Sequence, residues 1–493
     1  MKKFIKNGTV VLSTVLLSFI YSCEDDSINT NLEKTNDLMV TTEQSDFEVV
    51  QYDKLKISPN VSASIQDGRT YSYEWSAYPR NGAAADELVS ISKSKDLDTA
   101  IELKVNDYYL VLTIKDSKTG VLQSQRYTLR VNSGFYEGWL VANNSSGKGK
   151  LSFIRVDGTV IENAMEEING KTYDGLAMDA AAPIDELSGL QQIYYFTNKG
   201  AYLFDADTFA ELGDATQVYS EPISSQGRVS VTVGGLGYNM NVVNNGKIHT
   251  TSLFYGFDGF YSPKIITSTY SNVFPFQFAI NSGSGLGRTY LYDNTAKRFV
   301  YNSYADPTTI SYAAATPTNA FFNMADAKGT MLAGAHGVGT THYALMKVES
   351  AGTYHIYSLA ASVPSGNKQL TLSGLDRVKG FDALSSGASL IYFAIDNKLY
   401  RYDFAANTAE QIYEFDAAST ISDVKVYKNP YLYFSISPTA EMHNKRIAVA
   451  VNKGGAGEVF YFDLTGTGYI SNSTYSAHFS GFGEITSLNY RNR

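Results

Sequence analysis

Six histidines, one cysteine and a recurrent series of acidic residues are the side chains of this 493-residue chain with the means to do chemistry. The histidines stand at positions 249, 336, 342, 355, 443 and 478. His336 and His342 flank Gly337-Val338-Gly339-Thr340-Thr341, and with His355 they could converge on a metal ion, because imidazole nitrogen is a common ligand. No HExxH pattern accompanies them, so exposed or singly hydrogen-bonded rings are the reading adopted and no metal site is assigned. Gly283-Ser284-Gly285-Leu286-Gly287 lacks the spacing, the following helix and the lysine of a phosphate-binding loop. There is no GxSxG elbow, and a carboxylate pair for glycoside cleavage would come from distant segments and leave no local signature. The sequence therefore predicts no catalytic residue and no cofactor. Cys23, the one thiol, follows Lys2, Lys3 and Lys6, an apolar run over residues 10–20, and Ser22. That order is a secretory signal, too short for a stable membrane span.

A lone cysteine behind such a signal resembles the lipobox of bacterial lipoproteins, in which the thiol is acylated and becomes the new N-terminus. Ile20 and Ser22 stand where that motif usually has Leu and a smaller Ala or Gly. The resemblance implies residues 1–22 as signal peptide and Cys23 as the site of lipid attachment, with palmitate as an expected acyl group. Glu24, Asp25 and Asp26 form an acidic cluster directly after it. This is similar to the signal that exports Bacteroidetes lipoproteins to the outer face of the outer membrane. The expectation is a lipid-anchored, surface-exposed protein.

Composition narrows the rest. Without the three signal lysines, 37 basic residues of the chain's 40 face 49 acidic ones, a net charge near −12. Such a balance argues against nucleic acid, whose phosphates would be repelled. With Cys23 acylated, no thiol is left for disulfides or thiolate ligands, so hydrophobic burial must hold the fold. The chain carries 37 Tyr, 26 Phe and 40 Gly but only 2 Trp and 11 Pro. Aromatic and β-branched residues suit pleated, half-buried surfaces, and glycine suits tight turns. An all-β fold is predicted.

Residues 23–43 are polar and aperiodic and read as a flexible tether. Residues 44–134 hold a run of strands. Among them are Tyr71-Ser72-Tyr73-Glu74-Trp75, with period-two alternation, and Tyr109-Leu110-Val111-Leu112-Thr113-Ile114, which leads into the turn Asp116-Ser117-Lys118-Thr119-Gly120. A strand with a single Trp followed by such a hairpin fits an immunoglobulin-like sandwich. It resembles the PKD repeat, which implies Trp75 in the core. The layout as a whole looks like the PKD-like lipoproteins of Bacteroidetes.

Residues 135–493 repeat. Aromatic strands end at Asp157, Asp205, Asp258, Asp293, Glu349, Asp403 and Asp463, at intervals of 35 to 60 residues. Asp at such a strand end caps the following turn through backbone N–H groups, which is preferred here to a catalytic role. Other apolar strands precede several copies, such as Ile193-Tyr194-Tyr195-Phe196-Thr197 and Leu390-Ile391-Tyr392-Phe393-Ala394-Ile395. About four strands per unit is the size of a propeller blade, and seven copies predict seven blades. Closing a ring removes bare strand edges, and residues 483–490 are placed to pair with the first blade.

Tyr255, Phe257, Phe260 and Tyr261 form an aromatic cluster suited to stacking on sugars or peptide side chains, and Phe274 with Phe276 and Tyr301 with Tyr304 form two others. The family resemblance implies a non-catalytic accessory beside a TonB-dependent transporter and a companion lipoprotein, capturing a glycan or a peptide. A propeller-type hydrolase or lyase, and an adhesion or scaffold protein, are the alternatives.

Overall fold

The computed structural model describes residues 36–81, 88–183, 191–214, 218–219, 229–233, 239–252, 270–280, 288–303, 306–428 and 442–491. The chain divides into two compact units, Met1–Val131 and Asn132–Arg493. Both are built from antiparallel strands, and the protein is all-β.

The first unit carries a five-stranded sheet in the order Asp46–Val50, Leu122–Asn132, Asn106–Asp116, Tyr71–Pro79, Val89–Ser92. Two strand pairs complete it, Leu38–Thr41 with Asn60–Ala63 and Lys54–Ile57 with Leu97–Ala100. Alternation along Asn106–Asp116 drives every second side chain inward, and Leu110, Leu112 and Ile114 are wholly buried. Trp75 lies in the core as expected, stacked on Tyr127 at 5.8 Å, with its indole N–H donating to the Lys95 carbonyl at 3.1 Å. The tether predicted over 23–43 needs correction. Leu38–Thr41 is a paired strand, and the Asn36 carboxamide bonds the Tyr71 hydroxyl and the Ile65 N–H. Leu38 and Val40 pack against this core while Met39 between them is exposed, and that burial favours the ordered strand.

The second unit is a succession of small sheets. Four have four strands, beginning at Ala177–Ala181, Val273–Ile280, Thr330–His336 and Val378–Ala383; one, beginning at Val229–Val233, has three strands among the described residues. A seven-stranded sheet joins the two ends of the unit. At its centre the long strand Ala477–Arg491 changes partner. Its first part pairs with Ala456–Asp463 and its second part with Gly138–Ser145. The seven-stranded sheet thus consists of two four-stranded groups that share this strand. The first strands of successive sheets neighbour one another, from Ala177–Ala181 through Thr420–Val426 to the long strand and back to Ala177–Ala181. The fold is a β-propeller, and the pairing expected for residues 483–490 is observed.

Two aspartates fasten adjacent inner strands. Asp382 accepts from the Val426 N–H at 2.8 Å, and Asp423 accepts from the Leu488 N–H at 2.9 Å. Four of the repeated strand-end acids behave as caps: Asp157 accepts from the Thr159 N–H, Asp205 from those of Asp207 and Thr208, Asp293 from those of Thr295 and Ala296, and Asp403 from that of Ala406, whereas Glu349 pairs with Lys297 and Asp463 with Arg446. Asp258 lies outside the described residues.

Candidate ligand-binding face

A hairpin asparagine binds the next sheet at three places. Asn144 accepts from the Ala177 N–H at 2.7 Å and donates to the Ala177 carbonyl at 3.2 Å. Asn294 does the same to Met331, at 2.7 and 3.1 Å, and Asn452 to Ile485, at 2.8 and 2.9 Å. Each target lies where the inner strand's register slips, so the carboxamide satisfies backbone groups that the bulge leaves unpaired. These clasps set the starts of the inner strands beside the hairpin turns of their neighbours.

A recess of about 450 Å³ opens among those starts. The inner strands contribute Asn272, Phe274 and Pro275, Leu332, and Val378 and Lys379; the hairpin turns contribute Asn245 and Asn294. Phe274 is buried, whereas Pro275, Leu332 and Val378 are half-exposed and Asn272 and Lys379 are exposed. Asp376, also at the rim, accepts from Lys347 Nζ at 2.8 Å and from the Tyr354 hydroxyl. Those bonds, that of Lys347 first, hold its carboxyl below the ordinary range.

The inner strands also carry charge further along. Lys428 pairs with Asp382 and donates to the His336 carbonyl at 2.9 Å, and burial lowers its pKa. Burial raises Asp423, and raises Asp179 to about 6, where the neighbouring Asp423 adds to the effect and Ser487 and Lys425 oppose it. The folded chain therefore holds the Asp179 proton more tightly than the unfolded chain. Stability falls as pH rises from about 4 to 6 and stays lower above that range, by roughly 3 kcal/mol from this residue. Asp179→Asn should accordingly melt higher than the parent at pH 7.5 and show a shallower loss between pH 4 and 6. Calorimetric scans across that range test this, and an unchanged slope would contradict it.

His336 and His342 are cross-strand partners with their Nδ1 atoms 2.9 Å apart, so one ring donates to the other. Burial, then the neighbouring His342, Lys428 and Lys425, pushes His336 well below its usual pKa. His355 does not join them: it bonds Asn367 at 2.8 Å and Thr353 at 3.0 Å. Among the described residues no three His, Cys, Asp or Glu side chains are gathered as a metal site requires.

Other expected positions divide clearly. Phe276, partly buried, packs between Phe278 and His336, and Phe274 is buried at the wall of the recess. Tyr301 lies under Arg288 at 4.7 Å. Cys23, Glu24, Asp25 and Asp26, together with Tyr255, Phe257, Phe260, Tyr261 and Tyr304, lie outside the described residues. The sequence reading missed the recess. Its available signal was asparagine recurring at hairpin turns, as in Asn198-Lys199-Gly200, Asn245-Gly246 and Asp396-Asn397.

Residues 23–176 match the PKD-like family. The PKD-like match runs past Val131 through the first strands of the second unit and stops immediately before Ala177–Ala181. No curated protein matches the chain. Among solved structures, a quinonprotein alcohol dehydrogenase-like protein from Bacteroides thetaiotaomicron is 12% identical, with 90% of this chain and 96% of that one covered and a TM-score of 0.47. A DUF4784 family protein from Bacteroides caccae is 10% identical, with 92% and 98% covered and a TM-score of 0.30. The Dos1 propeller is 10% identical, with 77% and 83% covered and a TM-score of 0.35.

Proposed function

We propose that this PKD-like protein is a non-catalytic capture protein of the outer membrane, lipid-anchored through Cys23 and exposed at the cell surface. In this reading the propeller, with seven blades, presents the recess to a glycan or peptide and passes the ligand to a TonB-dependent transporter with its companion lipoprotein. The recess supports it: half-exposed Pro275, Leu332 and Val378 offer apolar contact beside exposed Asn272 and Lys379. Asp382 and Asp423 do not resemble poised acids, because both bond backbone N–H groups of neighbouring strands.

Calorimetry of the mature chain against glycan and peptide libraries tests the proposal. Saturable binding without turnover is expected, and a Leu332→Arg substitution should abolish it. Turnover of a bound glycan would replace this reading with the hydrolase or lyase. Mass spectrometry should find acyl chains on Cys23, and an unmodified thiol in the native membrane would refute the anchor.

A further inference from the structure

Two charged side chains line the recess itself, Asp376 and Lys379, and only Asp376 is paired. Lys347 is paired with Asp376 at 2.8 Å. Arg377 makes two hydrogen bonds to Asp396, at 2.9 and 2.8 Å. Lys297, in the hairpin that carries Asn294, is 3.3 Å from Glu349. Lys379 lines the recess, is exposed, and makes no ion pair or hydrogen bond among the described residues. With Asp376 matched by Lys347, the lining carries one unmatched positive charge, while the nearby Asp293 carboxylate is held by the N–H groups of Ser271, Thr295 and Ala296. Exposed Asn272 lines the same recess, and its carboxamide can donate N–H groups. An ammonium and a carboxamide beside half-exposed apolar side chains form a receptor for a carboxylate carried on a compact, partly apolar body.

We infer that the recess takes a ligand bearing a carboxylate, which is received by the ammonium of Lys379 beside the carboxamide of Asn272. The inference rests on the capture reading above and narrows it to one ligand chemistry. A uronic-acid sugar and a peptide C-terminus both present that group. Asp376 does not oppose it, since its charge is already matched by Lys347. The lysine ammonium acts here as a point charge, so binding weakens as salt screens it.

The test is calorimetry on the mature chain with four probes: trigalacturonate, its methyl ester, triglycine and triglycinamide. One acid should bind at least about tenfold more tightly than its neutral partner, a difference of about 1.4 kcal/mol. Which pair shows the difference identifies the source of the carboxylate. Lys379→Met should erase the preference and keep the parent melting temperature. Equal binding of an acid and its neutral partner overturns the carboxylate assignment and leaves the capture reading standing. Failure of all four probes overturns the assignment as well. The capture reading itself falls only if the library screen finds no saturable ligand.

Discussion

Ending the chain after Gly483 should abolish the cooperative unfolding transition of the second unit. The lost residues supply the partner of Gly138–Ser145, in a register from Gly138 opposite Arg491 to Asn144 opposite Glu484. They also carry Ile485 and Leu488, both essentially fully buried, and the backbone groups held by Asn452 and Asp423. Truncating one buried leucine to alanine costs about 2–5 kcal/mol. Two such residues, a strand's worth of hydrogen bonds and an opened edge together exceed most of the about 5–15 kcal/mol that stabilises a typical domain. Calorimetry should show the transition lost, and hydrogen exchange should show the amides of residues 138–144 unprotected. The milder Leu488→Ala should lower stability by about 2–5 kcal/mol without changing the denaturant slope. A truncated chain that melts like the parent would mean that the pairing with Gly138–Ser145 does not hold the unit together.

Gly380→Ala should be the most damaging single methyl addition among the inner strands. Gly380 has a φ of 53°, and a Cβ built there would lie 2.0 Å from the Val424 nitrogen and 2.7 Å from the Asp423 carbonyl carbon. The obstacle is backbone, so no rotamer change relieves it. The two strands would have to separate where Asp382 holds the Val426 N–H. Conformational strain alone costs about 1–3 kcal/mol. With the forced separation, the expected loss is about 3–5 kcal/mol in urea unfolding. A control at Gly387→Ala, also at positive φ but with open space around the Cβ, should cost clearly less. If the two variants are equally stable, close approach of the two strands is not what requires glycine at 380.

The sequence by itself determined the elements that depend on local chemistry. Period-two alternation marked Tyr71 to Trp75, an apolar run before a turn marked Tyr109 to Ile114, and the single tryptophan of this segment located the sandwich core. Strand-end acids marked turns, because an Asp side chain reaches N–H groups only two or three residues ahead. The return of the last strand to the first sheet was also legible, since a ring of blades cannot leave its ends bare. What was not legible is whatever joins residues far apart in the chain. Leu38–Thr41 looked like tether because its two inward residues gain nothing until the sandwich core exists. Phe274 and Phe276 looked like one exposed cluster, yet the fold buries Phe274 at the recess wall and packs Phe276 against Phe278 and His336. The recess draws its walls from positions between 245 and 379, brought together by inner strands and by asparagine clasps such as that of Asn294 on Met331. Lys379 looks like any solvated lysine in sequence. Only tertiary structure pairs Lys297, Lys347 and Arg377 with carboxylates and leaves Lys379 unmatched, because charge balance at a site depends on distance in space.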